Sequence, residues 1–255
     1  MKIEKIHESD EKLSFVLGGI NFSFANTIRR SVYEIPVLAI DTVEFYKNDS
    51  ALYDEILAHR LGLIPLKASK TFTSREECSC KGKGCMKCTA TLKLKTKGPR
   101  TVYASDLETK GCEIVFKEMP LVFLSQDQEL EFSAEAILGK ATEHTKFSPG
   151  IVWFRALPEF SIKGCDKCLK CIEICPKKAI ILKDDTLTID QMKCDMCEAC
   201  VELCSEHRNA ISIIPSQENF IFYVESFGQK TPREIFAEAL EVLNDNLKEL
   251  AKVVK

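Results

Sequence analysis

Eight of the thirteen cysteines in this 255-residue chain fall into two runs of identical spacing. The first is Cys165-x2-Cys168-x2-Cys171-x3-Cys175, followed by Pro176; the second is Cys194-x2-Cys197-x2-Cys200-x3-Cys204, followed by Ser205. Three thiolates spaced in this way wrap three corners of an iron–sulfur cubane from one loop. The fourth corner needs a ligand from elsewhere, and in two-cluster domains the last Cys of each run serves the other cluster. The spacing therefore predicts one [4Fe–4S] cluster on Cys165, Cys168, Cys171 and Cys204, and a second on Cys194, Cys197, Cys200 and Cys175. The runs repeat at a period of 29 residues, the mark of a duplicated half-domain. The second half lacks the proline and has two extra residues before Ala210-Ile211, compared with Ala179-Ile180 in the first. Structural zinc takes four ligands, usually as two separated pairs, which two four-Cys runs match poorly. Disulfides suit secreted chains, and Met1–Glu8 is charged throughout with no apolar signal region.

A second cluster, Cys78-x-Cys80-x4-Cys85-x2-Cys88, does present two close pairs, as a four-Cys zinc site requires. Its loop, Lys81-Gly82-Lys83-Gly84, can fold around a small ion, and the lysines offset the charge of four thiolates. Free thiols in a loop are the competing reading. Cys112 stands alone and reads as a small core residue.

Other chemistry is missing from the pattern. There is no phosphate-cradling glycine loop and no Gly-x-Ser-x-Gly elbow. His7, His59, His144 and His207 have no metal-ligand spacing, Asp127 and Glu129 read as a polar connection, and Asp184-Asp185 as a hairpin turn. No active site is expected in the chain. The formal charge of −3 points to neither nucleic acid nor an anionic membrane as a direct partner, and no apolar run approaches a membrane span. A cytoplasmic protein is expected.

The elements that must position these residues are legible in part. Residues 2–8 and 12–18 read as a hairpin turning at Ser9-Asp10. An amphipathic helix over about 23–35 carries Phe22, Ala25, Ile28, Val32 and Ile35 at helical steps, and Pro36 stops it. Strand pattern follows from Val37, then a helix over about 51–61 with Ser50 as its N-cap. Residues 70–120 read as strands and turns, 121–160 as short strands, and Phe220–Val224 as a strand. The last helix opens on Thr231, Pro232 and Glu234, a capping box with proline at N1. Along it Phe236, Leu240, Leu243, Leu247, Leu250 and Val254 alternate steps of four and three, a seam of coiled-coil type. That seam packs either on the protein's own sheet or on a partner helix.

Four stretches carry a resemblance. Asn26-Thr27-Ile28-Arg29-Arg30, with Ile35-Pro36 and Ala39-Ile40-Asp41 after it, resembles the first helix and next strand of the α-type subunits of cellular RNA polymerases. His59-Arg60-Leu61-Gly62-Leu63-Ile64-Pro65-Leu66 is similar to that family's most diagnostic stretch in its archaeal and eukaryotic members. His144-Thr145-Lys146-Phe147-Ser148-Pro149 and Tyr223-Val224-Glu225-Ser226-Phe227-Gly228 resemble two more. The resemblance spans essentially the whole chain, and the interposed ferredoxin-like segment points to the archaeal members.

The resemblance implies an α+β protein of three parts. Residues 1–40 and 218–255 would form a discontinuous α/β dimerisation domain, 41–160 a mostly β insert domain with the 78–88 loop, and 161–217 a ferredoxin-like two-cluster Fe–S domain. It implies a non-catalytic assembly platform for transcription. The dimerisation domain would pair with a smaller homologous partner, subunit L, through helices including Phe236, Leu240, Leu243 and Leu247. Arg29, Arg30, His59 and Arg60 would face a large catalytic subunit, with small assembly subunits nearby and DNA met only through the complex. The 78–88 cluster is similar in place and spacing to a zinc loop of eukaryotic relatives. A solvated helix face is the competing reading for Arg29 and Arg30. The competing function, motivated by residues 165–204 alone, is an electron-transfer subunit of an iron–sulfur oxidoreductase.

Overall fold

The computed structural model describes every residue except Lys70, Asp184, Asp185, His207, Arg208 and Lys255, so the expected Asp184-Asp185 turn lies outside the described residues, as does His207. The chain opens with β1 (Lys2–Glu8), β2 (Lys12–Gly18) and α1 (Phe22–Ser31). Next come β3 (Val37–Asn48), α2 (Asp54–Gly62), β4 (Leu66–Ala68), β5 (Ala90–Lys97), β6 (Arg100–Tyr103), β7 (Glu108–Lys110) and β8 (Cys112–Ile114). β9 (Pro120–Leu124), β10 (Glu129–Gly139) and β11 (Gly150–Ile162) lead to α3 (Lys170–Ile174), β12 (Ile180–Lys183), β13 (Thr186–Ile189) and α4 (Ala199–Ser205). β14 (Ile211–Ser226) and α5 (Pro232–Val253) complete the α+β fold. Two compact units are present: Met1–Glu8, Ser14–Asn26 and Trp153–Tyr223 in one, Ser9–Leu13, Thr27–Val152 and Val224–Lys255 in the other.

In the first unit the main sheet runs β1-β2-β14-β11. Phe15 stacks on Phe222 with ring centroids 5.7 Å apart, and Phe154 packs against Phe22, Phe220 and Phe222. Gly19 N–H donates to the Glu218 carbonyl at 2.9 Å, so stretches near opposite ends of the sequence meet. β14 is far longer than the Phe220–Val224 strand expected, because its first half extends back to close the cysteine-rich segment. Lys163 N–H donates to the Ala210 carbonyl at 2.9 Å across the base of that segment.

The second unit is built on the sheet β3-β10-β5-β7. Leu130, Phe132, Ala134 and Ala136 alternate along β10 and are buried with Leu92 and Leu94 of β5 and Leu57 and Leu61 of α2. Of the short strands expected over 121–160, only β9 is short, at five residues; β10 runs for eleven and β11 for thirteen. Glu129 does not lie in a loose connection: it opens β10 between two ammonium groups, Lys97 and Lys47, which hold its carboxyl down at about 2.

Local signals explain the helix ends. α1 passes into a single 3-10 turn at Val32–Glu34, and Ile35, forced extended by Pro36, ends it at ψ 126°. Ser50 is not the cap of α2, which begins four residues later with Tyr53 at the N-cap. The Asn48 side chain captures Ser50 instead, accepting from its hydroxyl at 2.6 Å and its N–H at 3.1 Å. α5 starts as the sequence predicts: Thr231 Oγ1 accepts from Glu234 N–H, and the Glu234 carboxylate accepts from Thr231 N–H at 2.8 Å.

Candidate metal centres

The two cysteine runs fold alike. Gly164 enters the first run at φ 69°, a left-handed conformation that suits a residue without Cβ. Lys167 and Leu169 are also left-handed ahead of α3, and 29 residues on Met196 and Glu198 repeat this ahead of α4. The repeat slips by two at the far end, where left-handed Lys178 corresponds to Asn209. Those are the two extra residues of the second half. Ala179 N–H donates to Cys175 Sγ and Ala210 N–H to Cys204 Sγ, both at 3.3 Å, so the end of each run is held in the same way.

Each run's last cysteine lies beside the other run. Cys165, Cys168, Cys171 and Cys204 line one small cavity. Cys175, Cys194, Cys197 and Cys200 line another. Ile180, Leu187 and Ile211 pack with Cys171 and Cys200 between them. Cys168 and Cys197 are exposed, whereas Cys171, Cys194 and Cys200 are buried. Burial pushes the Cys171 and Cys194 thiols up, and the Cys200 thiol to about 11. A metal must displace those protons to bind. Four soft thiol donors around each cavity fit an iron–sulfur cluster.

The 78–88 loop gathers its four sulfurs within 4.8 Å of one another. Sγ–Sγ separations are 3.6 Å for Cys78–Cys85, 3.6 Å for Cys80–Cys88 and 3.9 Å for Cys85–Cys88. A tetrahedron with zinc–sulfur bonds of about 2.3 Å has edges of about 3.8 Å, so the donor set fits zinc. A backbone N–H of Cys80 draws the Cys78 thiol down to about 6. Arg75 braces the loop, donating to Thr89 Oγ1 at 3.2 Å and to the Glu135 carboxylate at 2.6 Å.

The remaining predicted residues are spread over the surface. Arg29 is half-buried and Arg30 exposed on the last turn of α1. His59 lines a concavity with Asp41, Leu63, His144 and Lys146, so three of the stretches singled out in the sequence meet there. Lys146 closes it by an ion pair to Asp41 at 2.7 Å. Arg60 is exposed but bound to the protein's own backbone: its guanidinium donates to the Leu121 and Pro120 carbonyls at 2.9 and 2.8 Å and holds β9 on α2. On α5 the buried stripe is Ile235 and Ala239. Leu240, Leu247 and Leu250 are 38%, 55% and 59% exposed, and Phe236 and Leu243 half-buried.

Sequence reasoning missed Arg155 of β11. Its guanidinium donates to the carbonyls of Met192 and Cys194 and to the Tyr223 hydroxyl. A lone arginine in a strand carries no local signal for carbonyl acceptors 37 and 39 positions away.

The sequence is similar to known proteins along nearly its whole length. Residues 39–151 match the RNA polymerase Rpb3/RpoA insert domain, and residues 158–205 match a 4Fe-4S dicluster domain. The chain is 40% identical to DNA-directed RNA polymerase subunit Rpo3 of Methanothermobacter thermautotrophicus over 98% of its length and 97% of the relative's. It is 36% identical to the Rpo3 subunit of Archaeoglobus fulgidus over 100% and 98%. With that of Pyrococcus horikoshii the identity is 32% over 95% and 93%.

Proposed function

The chain belongs to the Rpo3 family of DNA-directed RNA polymerase subunits, and we propose that it is the non-catalytic, α-type assembly platform of an archaeal polymerase. Near-complete alignment to relatives of that name carries the reading. The electron-transfer alternative draws only on residues 158–205 and leaves the rest of the chain without a purpose.

We assign a dimerisation domain to residues 1–40 and 218–255, an insert domain to 41–160 and an Fe–S domain to 161–217. Contacts between the two ends of the chain support the first: Gly19 with Glu218, Ser226 N–H with the Glu11 carbonyl at 2.8 Å, and Asn246 with Glu34 at 2.9 Å. Its partner would be subunit L, met by the exposed seam of Leu240 and Leu247 with Phe236 and Leu243 beside it. Arg29, Arg30 and His59 would meet a large catalytic subunit, where arginine makes rigid bidentate contacts with carboxylates. Arg60 would contribute there through the α2–β9 junction it braces. Small assembly subunits would complete the platform in the cytoplasm, and DNA would be met only through the complex.

One [4Fe–4S] cluster would be held by Cys165, Cys168, Cys171 and Cys204, the second by Cys194, Cys197, Cys200 and Cys175, and zinc by Cys78, Cys80, Cys85 and Cys88. When bound, each metal group supplies cross-links between separate stretches of chain. The chain's own residues supply the rest: left-handed turns that aim the thiols, apolar packing that excludes water, and N–H groups that hold the Cys175 and Cys204 sulfurs.

Anaerobic purification of the tagged chain from its host, with metal and sulfide analysis, tests the reading. The large polymerase subunits and RNA-synthesis activity are expected to co-purify. Recovery without them overturns it.

A further inference from the structure

We propose that Arg155 is the positioning residue of the second cluster site, holding the backbone at Met192–Cys194 so that the Cys194 thiol faces Cys175, Cys197 and Cys200. The inference rests on the assignment of [4Fe–4S] clusters to the two cavities.

The two runs are anchored differently. The first leaves β11 directly: the strand ends at Ile162 and Cys165 follows three residues later. Covalent continuity places its first thiol. The second run begins 29 residues downstream and returns to β11 through side chains. Arg155 Nη1 donates to the Cys194 carbonyl and Nη2 to the Met192 carbonyl, both at 2.7 Å. These are short, charge-assisted bonds. Nε donates to the Tyr223 hydroxyl at 3.0 Å, and Tyr223 is itself fixed by stacking on Trp153 at 5.2 Å and 10°. Gln191 Nε2 adds a bond to the Pro158 carbonyl at 2.9 Å. The Asp190 carboxylate accepts from Met192 N–H at 2.9 Å and Lys193 N–H at 3.3 Å, which rounds the turn that Arg155 grips.

The chemistry calls for arginine. Two carbonyls two residues apart and a phenol on the opposite side need three donors in one plane, which a guanidinium offers and an ammonium does not. Cys194 is a ligand whose main-chain carbonyl is clamped while its buried thiol stays free for metal. Arg155 touches the ligand's backbone and acts on the cluster through it.

The test uses the full-length chain loaded with iron and sulfide under anaerobic conditions, then challenged with an iron chelator. Iron release is followed with the visible absorption of the clusters. Wild-type protein is expected to release two clusters' worth of iron slowly. In Arg155→Gln half of the iron is expected to leave roughly tenfold faster, the scale set by losing a charged hydrogen bond, and half at the wild-type rate. Arg155→Lys falls between. Gln191→Ala, a milder change, moves the same half in the same direction and serves if Arg155→Gln does not fold. In a Cys204→Ser background, which keeps only the second site, Arg155→Gln or Gln191→Ala should speed release of all the iron. In a Cys175→Ser background, which keeps only the first, neither should change it. Equal acceleration of both halves, no acceleration, or a fast phase that persists in Cys175→Ser overturns the proposal. Wild-type protein that takes up no cluster overturns the cluster assignment instead.

Discussion

At the scale of single residues the cysteines divide by environment. Cys200 is pushed to about 11 by burial, whereas Cys78 is drawn to about 6 by a backbone N–H. In the same loop burial pushes the neighbouring Cys80 thiol up to about 11, so the 78–88 loop and the cluster cavities alike hold thiols whose protons a metal must displace. The sharper question is which thiols share a cluster. Single Cys→Ser changes cannot answer it, because each removes one cluster under either pairing. Pairs of changes can, since two lesions in one site count once and lesions in two sites count twice. The cavity linings give a definite expectation: Cys168→Ser with Cys204→Ser strikes one site and keeps about half of the iron. Cys168→Ser with Cys175→Ser strikes both and keeps almost none. Iron and sulfide per chain, measured anaerobically, decides it, and the reverse result would mean that each run holds its own fourth ligand.

Among the elements, α5 shows most clearly how local and distant information part. Its start is legible because Thr231, Pro232 and Glu234 act on one another within a turn. The heptad-like seam is legible too, but not its destination: Ile235 and Ala239 are buried while Leu247 and Leu250 remain exposed. Ser50 fails as a cap because a competing acceptor, Asn48, sits two residues away and captures it. β10 reads short although its apolar residues alternate, because its other face is charged and finds its partners on β3 and β5, as Glu131 does with Lys95 at 2.8 Å. Arg155 is invisible in the sequence for the same reason, its acceptors being set by topology. The exposure pattern of α5 makes a prediction. Leu247→Asp and Leu250→Asp alter surface positions, so the melting temperature of the chain should shift little, within about 0.5 kcal/mol of stability. The proposed pairing with subunit L should weaken by about tenfold or more, as expected when a charge replaces a leucine that an interface would desolvate. Ala239→Asp, at a buried position, should instead destabilise the chain itself. Co-purification yield set against thermal unfolding separates these outcomes, and unchanged pairing of the Leu247 and Leu250 variants would remove α5 from the interface.

On the scale of the whole molecule, the proposed clusters would matter through the stem that carries them. The segment from Lys163 to Ala210 leaves at the end of β11, returns at the start of β14, and is closed by a bond of 2.9 Å between those two residues. Its apolar core is small: one cluster of Cys171, Ile180, Leu187 and Cys200 closed by Ile211 of β14, with Ala179, Cys194 and Ala210 also buried, and the three cysteines among these are proposed ligands. So small a core needs metal to hold it. Loss of a cluster should therefore loosen this segment as far as its stem. α5 and its capping box involve none of these residues, so pairing with subunit L should persist. Any large-subunit surface that rests on the Fe–S segment would not. Cys168 and Cys197, both exposed, are where an oxidant would reach the clusters first, so aerobic handling should imitate the mutation. Cys175→Ser is thus expected to leave recovery of the pair with subunit L near the wild-type level and to lower the yield of intact polymerase several-fold, measured by quantitative pull-down from the host. Equal losses of both would mean that the clusters support the entire fold. An unchanged yield of polymerase would mean that the platform assembles without them, leaving the repeated geometry of the two half-sites to a role other than assembly.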